Sequence, residues 1–179
     1  MDPEPSSFIA LIITDNINIA LGFVLLIVLL ICSAMISGAE VALFSLSKSD
    51  LEDEALQSKK QIKIINKLLV RPKKLLATIL VANNFINIAV VILFASLSDF
   101  IFEGMNFLFF GINLKFLVEV VVITFLILLF GEILPKIYAS RNNLKFATFM
   151  AYPLGVLDVL FSPLSLPMRS ITLGIHNKL

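Results

Sequence analysis

Residues 116–139 read FLVEVVVITFLILLFGEILPKIYA. An α-helix of this length extends about 36 Å, which is enough to cross a hydrocarbon core of about 30 Å. Within this segment Glu132 stands beside Gly131 and three residues before Pro135, a poor pattern for an ordinary buried helix. Pro135 has no N–H, so it predicts a helix kink in which the Gly131 carbonyl, four residues back, loses its partner. A carboxylate and a bare carbonyl inside hydrocarbon together suit a hard cation.

The composition indicates a membrane protein. Of 179 residues, 59% are hydrophobic and 15% are charged, whereas soluble domains are about half apolar and a quarter charged. Cys32 is the single cysteine, which excludes an internal disulfide. The basic residues border apolar segments and lack interleaved aromatic residues, so no nucleic-acid partner is expected. With one histidine and neither a His-Glu-x-x-His nor a Gly-x-Ser-x-Gly motif, the chain is not expected to be an enzyme.

The hydropathy pattern predicts an all-α integral membrane fold with three transmembrane helices. The spans are expected at about residues 17–46, 73–98 and 116–140, within a single transmembrane domain covering residues 1–179. Eight Lys and Arg lie at residues 48–74, from the end of the first span to the start of the second; one lies between the second and third spans. Three, Lys136, Arg141 and Lys145, cluster at the inner end of the third. By the positive-inside rule the N-terminus is outside and the C-terminal end is cytosolic.

Two further segments are predicted to lie on the cytosolic side. Residues of about 48–71 combine charge with apolar residues at helical spacing, which predicts a cytosolic helical hairpin beginning with a capping box of Ser49 and Glu52. Residues of about 145–175 are apolar but interrupted by Pro153, Pro163 and Pro167. They are better explained by juxtamembrane helices along the inner face than by a fourth span, the alternative that remains open.

Polar side chains on the three spans are predicted to lie at a similar depth. Glu132, Asn83 and Ser37 are about 13, 14 and 16 Å from the basic residue at the inner end of their spans. Ser33 shares a helix face with Ser37, and Asn87 shares one with Asn83, because each pair is separated by four residues. Hydroxyl, amide, carboxylate and carbonyl oxygens favour Mg²⁺, Ca²⁺ or Na⁺ over zinc or copper.

Each of these polar residues also has a purely structural interpretation. Serine and asparagine in spans often only form hydrogen bonds to neighbouring helices. Thr78 is either a further ligand or a partner of its own backbone, and Asn84, about 100° around the helix from Asn83, is expected to pack between helices. Glu40 either pairs with a cytosolic lysine or serves as an acid in a vestibule.

Three motifs in order carry a resemblance to a known family. They are SGAEVAL at residues 37–43, Arg71-Pro72 leading to ANNFIN at residues 82–87, and GEILPK at residues 131–136. Together they resemble the transmembrane (DUF21) domain of the CorC and CNNM magnesium transporters over essentially the whole chain. The acidic N-terminus and the run from residue 37 to 45 also resemble the gliding-motility-associated CorC-like branch of Bacteroidota.

The resemblance implies a homodimer of three-span subunits, multi-pass in the bacterial inner (cytoplasmic) membrane. Members usually continue into a cytosolic pair of CBS-type regulatory domains, which is absent from this sequence. The activity implied is export of Mg²⁺ driven by inward Na⁺. The resemblance places the ion at Ser37, Asn83, Gly131 and Glu132. Ser33, Thr78 and Asn87 are the further candidates for the same shell.

Other functions stay open at this point. The chain would also serve as a non-transporting membrane anchor or ion sensor in a larger assembly, such as a motility complex. That alternative permits ion binding but predicts no ion flux. Transport of Ca²⁺, Mn²⁺ or Na⁺ alone would use the same oxygen ligands.

Overall fold

The computed structural model describes residues 5–52, 60–102, 104, 108–109 and 112–161. This part of the chain is nearly all helical. Its helices are α1 (Pro5–Phe44), α2 (Lys48–Glu52), α3 (Lys60–Leu69), α4 (Pro72–Ile101), α5 (Leu114–Leu126), a π-helical segment (Ile127–Ile133), α6 (Leu134–Arg141) and α7 (Asn143–Leu160). Before α5, two antiparallel strands of two residues each, β1 (Leu108–Phe109) and β2 (Ile112–Asn113), form a small hairpin.

Three helices are long and apolar enough to span a membrane, which confirms the predicted all-α fold. They cover Asn18–Phe44, Pro72–Ile101 and Leu114–Arg141, the last of these formed by α5, the π-helical segment and α6 in succession. The second helix begins at Pro72 because a proline in the first turn lacks only a donor that would have no partner there.

The short helix α2 begins with a capping box, but not at the predicted residues. The Ser47 N–H donates to Asp50 Oδ2 at 2.9 Å, and the Asp50 N–H donates to Ser47 Oγ at 3.2 Å. Bonds donated by the Ser47 hydroxyl and amide hold the pKa of the Asp50 carboxyl below its usual value. The prediction of Ser49 with Glu52 was wrong by two residues, because α2 begins at Lys48. Residues 53–59 of the predicted hairpin lie outside the described residues.

An inner apolar cluster joins α1, α3, α4 and α7. The buried face of α3 is formed by Ile62, Ile65 and Leu68, at the spacing expected for an amphipathic helix. It packs in one cluster with small residues of the other helices, among them Ala39, Ala42, Ala82, Ala147 and Ala151. Small side chains let these helix backbones approach closely.

Helix α7 lies across the inner end of the bundle. Near its start Asn143 Nδ2 donates to the Ser45 carbonyl at 3.0 Å, and near its end Asp158 pairs with Lys74 at 2.7 Å. Ser45 directly follows α1 and Lys74 is in the first turn of α4, so both ends of α7 lie at the same end of the bundle. Up to residue 161, α7 falls in the segment for which juxtamembrane helices are predicted, about 145–175; its position at the membrane face stays a prediction. Residues 162–175 lie outside the described part.

A second apolar cluster fills the outer half of the bundle. It contains Leu26 of α1, Val90, Phe94 and Leu97 of α4, and Ile123 and Ile127 of the third span. Between the two clusters lies a layer of polar side chains from all three spans. The candidate site is this polar layer.

Candidate metal site

The third span changes its hydrogen-bonding register at the level of the polar layer. Residues Ile127–Ile133 form a π-helical turn, in which each N–H donates to the carbonyl five residues back. The last such bond runs from the Leu134 N–H to the Leu129 carbonyl. Single π-helical turns inside α-helices often occur at functional sites.

This register frees backbone oxygens in a way that differs from the α-helical expectation. Pro135 has no N–H, so the carbonyl of Phe130, five residues before it, receives no bond of this kind. The carbonyl that Pro135 leaves without its bond in this register is therefore that of Phe130, not that of Gly131 as an α-helix would predict.

A chain of hydrogen bonds connects the three spans at this level. Ser33 Oγ of α1 donates to Asn87 Oδ1 of α4 at 2.7 Å and lies 3.3 Å from Asn83 Oδ1. Asn87 Nδ2 in turn donates to Glu132 Oε1 of the third span at 3.3 Å. One serine, two amides and one carboxylate are thereby held within a single group, which we call the polar cluster (Ser33, Asn83, Asn87 and Glu132).

Gly131 lets the third span approach α1 closely. A Cβ atom added at Gly131 would lie 3.0 Å from Ser33 Oγ and 3.5 Å from Ser33 Cβ. Any side chain larger than hydrogen would therefore press on the serine that contacts both asparagines.

Two predicted ligands, Ser37 and Thr78, lie apart from this hydrogen-bonded chain. Both are buried, and neither hydroxyl has a hydrogen-bond partner among the residues that the structure describes. A buried hydroxyl without a partner costs about 1–3 kcal/mol and calls for an explanation, such as a bound ion or water. Ser37 lies one helical turn from Ser33 towards the inner end of α1, as expected from its spacing.

The structure brings Ser33, Asn83, Asn87, Gly131 and Glu132 together. The central hydrogen bonds involve Ser33 and Asn87, and the assignment of Ser37, Asn83, Gly131 and Glu132 as the principal ligands stays a prediction. Ser33 and Asn87 had been identified only by their spacing of four residues from Ser37 and Asn83. Asn84 was expected to pack between helices, but within one chain it is exposed on α4, on a different face from Asn83.

An ion pair lies one turn below the polar cluster. Lys136 Nζ is 3.3 Å from Glu40 Oε2, and the two side chains are 40% and 38% exposed. Glu40 thus pairs with a lysine, as one of its two interpretations expected, although not with a cytosolic one. Its partner belongs to the third span itself, in the same GEILPK motif as Glu132.

The polar cluster has the chemistry of a site for a hard cation. It offers one carboxylate and several neutral oxygens, and no sulfur or imidazole. Across residues 5–52, 60–102 and 112–161, no group of three or more His, Cys, Asp or Glu is close enough to hold a metal ion by itself. Any cation bound here is therefore held mainly by neutral oxygens around Glu132.

Comparison with known proteins gives a consistent family. The model of the cyclin M (CNNM) transmembrane N-terminal domain matches residues 24–178. A UPF0053 protein of Haemophilus influenzae is 34% identical over 158 residues, covering 88% of this chain and 36% of the relative. The UPF0053 inner membrane protein YfjD of Escherichia coli is 31% identical over 140 residues, covering 78% of this chain and 31% of the relative.

A relative from an animal extends the same match. Metal transporter cnnm-4 of Caenorhabditis elegans is 29% identical over 171 residues, covering 91% of this chain and 34% of the relative. The chain thus spans about a third of the length of each of these curated relatives. The family match and the three spanning helices confirm the resemblance drawn from the three motifs. The chain belongs to the CNNM transmembrane domain family.

Proposed function

We propose that this chain is the membrane-spanning part of a divalent-cation transporter that exports Mg²⁺ in exchange for Na⁺ across the bacterial inner membrane. Its family membership and the name of the Caenorhabditis elegans metal transporter support cation transport at the family level. The inner-membrane name of the Escherichia coli relative supports the location.

The observation that carries the proposal is the meeting of three spans at one carboxylate. Polar groups in a membrane interior are expensive, so a buried layer of them marks an ion or substrate path. The hydrogen-bonded chain from Ser33 through Asn87 to Glu132 is such a layer, and Gly131 keeps α1 and the third span in contact there.

The ligand types favour a cation that is bound loosely enough to be released. Mg²⁺ keeps several waters and binds one or two carboxylates, with oxygens at about 2.0–2.1 Å. In the proposed site Glu132 supplies the charge, and Ser37, Asn83 and a backbone oxygen at Gly131 supply neutral ligands. Ser33, Thr78 and Asn87 either join the shell or orient its members, and Na⁺ uses the same oxygens on the return path.

The same geometry suggests how the site opens towards the cytosol. The Glu40–Lys136 ion pair connects α1 to α6 below the polar cluster. Beside it a Cβ added at Gly38 would lie 3.3 Å from the Pro135 carbonyl, so the two helices are in close contact. Separation of α1 from α6 at this contact would admit a hydrated ion from the inner side.

We further propose that the protein is a homodimer. Asn84 is exposed on α4 among large apolar side chains, where a lipid-facing amide would lack hydrogen-bond partners. A second copy across this face would supply them.

CBS-type cytosolic domains are expected in the longer protein, since the matched relatives are about three times as long.

The decisive experiment measures ion flux. Proteoliposomes loaded with Mg²⁺ and an internal Mg²⁺-sensitive dye are diluted into buffer with or without external Na⁺. We expect Mg²⁺ efflux that rises with the inward Na⁺ gradient, and a loss of at least about tenfold in Glu132→Gln, whose neutral amide removes the charge that holds the cation.

A matched control lies on the same helix. Glu119→Gln makes the same chemical change near the outer end of α5, where Glu119 is 3.7 Å from Lys115, and should leave efflux unchanged. Normal efflux by Glu132→Gln would reject the site. Bound Mg²⁺ without flux in the unaltered protein would instead support an anchor or ion sensor.

A further inference from the structure

A groove with mixed apolar and basic walls lies at the inner end of the bundle, away from the polar cluster. It has a volume of about 720 Å³ and runs between α3 and the second half of α7. Its apolar wall includes Val156 and Val159, which are 67% and 74% exposed, together with the ring of Tyr152. The groove is closed at its floor by Gly155, where an added Cβ would meet Ile64 at 3.5 Å.

The opposite wall of the groove is positively charged. Lys67, Arg71 and Lys74 all line it, against a single carboxylate, Asp158. That carboxylate is already paired with Lys74 at 2.7 Å. Neither Lys67 nor Arg71 forms an ion pair with any residue in the described part of the chain, so among these residues nothing competes with an anionic ligand for the two cations.

The groove lies at the level of a membrane surface. Lys74 stands in the first turn of α4, where the apolar span begins, and its neighbours in the groove are both basic and apolar. A ligand that fits must therefore be anionic at one end and apolar at the other. Basic pockets beside transmembrane helices on the cytoplasmic side commonly bind anionic lipid headgroups.

We propose that this groove binds one anionic phospholipid of the inner leaflet. The headgroup phosphate meets Lys67 and Arg71, and an acyl chain follows Val156 and Val159. A soluble anion would gain nothing from the exposed valines, and a zwitterionic lipid would gain little from the two cations. The proposal is independent of which ion is transported, because no residue of the polar cluster lines the groove.

The absence of tryptophan from the sequence makes a direct test possible. Val159→Trp places one fluorophore in the groove, and Ile137→Trp, at a position 51% exposed on α6, places one at the inner end of the third span. Each variant of the full chain is reconstituted with brominated phosphatidylglycerol or brominated phosphatidylcholine at equal mole fraction. Quenching then reports which lipid contacts each site.

We expect brominated phosphatidylglycerol to quench the indole of the Val159→Trp variant more strongly than brominated phosphatidylcholine. The ratio of the two lipids' binding constants at this site should be about fivefold for each basic residue that contacts the lipid. The Ile137→Trp variant should show a preference of less than about twofold, because its indole lies outside the groove. Adding Lys67→Gln and Arg71→Gln together to Val159→Trp should abolish its preference. The matched pair Lys63→Gln and Lys73→Gln removes the same charge from exposed positions that do not line the groove, and should preserve it.

Three results would overturn the proposal. Equal lipid preference in the Val159→Trp and Ile137→Trp variants would mean that the groove has no selectivity. An equal loss in the two double-glutamine variants would mean that diffuse surface charge attracts the lipid. Quenching of Val159→Trp by neither lipid would mean that another part of the protein, such as residues 162–179, covers the groove.

Discussion

Ser33 is the residue at which the contacts between the three spans meet. Its side chain is fully buried, and its hydroxyl lies 2.7 Å from Asn87 Oδ1 and 3.3 Å from Asn83 Oδ1. An amide oxygen has two lone pairs, so Asn83 Oδ1 keeps at least one for another partner, such as a cation. Ser33 acts in this arrangement as the residue that orients the two amides.

The contact between Ser33 and Gly131 is tight enough to test by adding one methyl group. In Gly131→Ala the new Cβ would lie 3.0 Å from a hydroxyl already held by its bond to Asn87. We expect weaker Mg²⁺ binding and a loss of about 1 kcal/mol in the free energy of unfolding, because overpacking outweighs the helix propensity gained by alanine. Isothermal titration and thermal unfolding in micelles measure the two effects.

Gly155→Ala is the matched control for that substitution. Its Cβ would meet Ile64 at 3.5 Å, an ordinary van der Waals distance. Stability should be unchanged or slightly raised. If both variants behave alike, the close approach at Gly131 has no role in the site.

At the scale of elements, the π-helical segment changes which backbone carbonyl of the third span lacks an N–H partner. Five-residue pairing over Ile127–Ile133 followed by Pro135 leaves the Phe130 carbonyl without such a bond, two residues before Glu132. In a membrane such groups must be satisfied by protein, water or an ion. The segment thus couples the fold of the third span to its capacity to bind a cation.

Pro135→Ala tests this coupling by restoring one backbone N–H. We expect the new donor to pair with a carbonyl of the segment, which would weaken Mg²⁺ affinity about tenfold while the fold is kept. Pro153→Ala is the matched control, because Pro153 also lies inside a helix, α7, remote from the polar cluster. Unaltered Mg²⁺ affinity in Pro135→Ala would show that the freed carbonyls do not serve as ligands.

Besides the apolar packing of the inner cluster, one shielded ion pair connects α7 to the start of α4. Lys74 and Asp158 are 10% and 22% exposed, and Lys74 Nζ also donates to the Asp158 carbonyl at 3.3 Å. Removing one partner leaves the other charge shielded from water and unpaired. α7 would then be held to the start of the second span by apolar packing alone.

We expect Lys74→Met to lower the free energy of unfolding by about 3 kcal/mol, since breaking a buried pair costs about 3–5 kcal/mol and this one is partly exposed. Lys136→Met breaks the more exposed pair with Glu40 and should cost less than about 1 kcal/mol. Chemical denaturation in micelles, followed by circular dichroism, compares the two. Equal losses would contradict the role assigned to burial.

At the scale of the whole molecule, two apolar clusters enclose a polar layer, and most large apolar side chains on the outside face lipid. Asn84 is instead a polar residue exposed on α4 at the depth of the site. An amide that faces lipid at this depth is unfavourable. Its exposure in one subunit is the physical reason to expect a second.

Asn84→Leu should therefore weaken the proposed homodimer. Interhelical hydrogen bonds in membranes average about 0.6 kcal/mol, so the dissociation constant should rise about threefold. Single-molecule photobleaching in bilayers measures the fraction of dimers over a range of dilutions. Ser96→Leu is the control, because the exposed Ser96 hydroxyl already bonds to the Ile92 carbonyl of its own helix at 3.0 Å. An unchanged dimer fraction in Asn84→Leu would move the interface elsewhere.

The fold was more predictable than the details of the site. Length and hydropathy predicted the three spans because a bilayer accepts only long apolar helices with internally paired backbones. The capping box lies at Ser47 and Asp50, two residues before the predicted pair of Ser49 and Glu52. Both pairs satisfy the same local pattern, and the residue at which the helix begins determines which pair forms the box. The change of register around Gly131 was not visible in the sequence, where Pro135 indicated only a break.

The sequence by itself determined that the chain crosses the membrane three times, that polar residues lie at one depth on each span, and that Glu132 is the acid among them. These properties follow from hydropathy and from the fixed rise of a helix, which are local. The tertiary structure decided which hydroxyl contacts the amides, because the rotation of α1 against α4 and the third span depends on packing at Gly131. For the same reason Ser33 and Asn87, rather than Ser37, lie at the centre of the hydrogen-bonded chain.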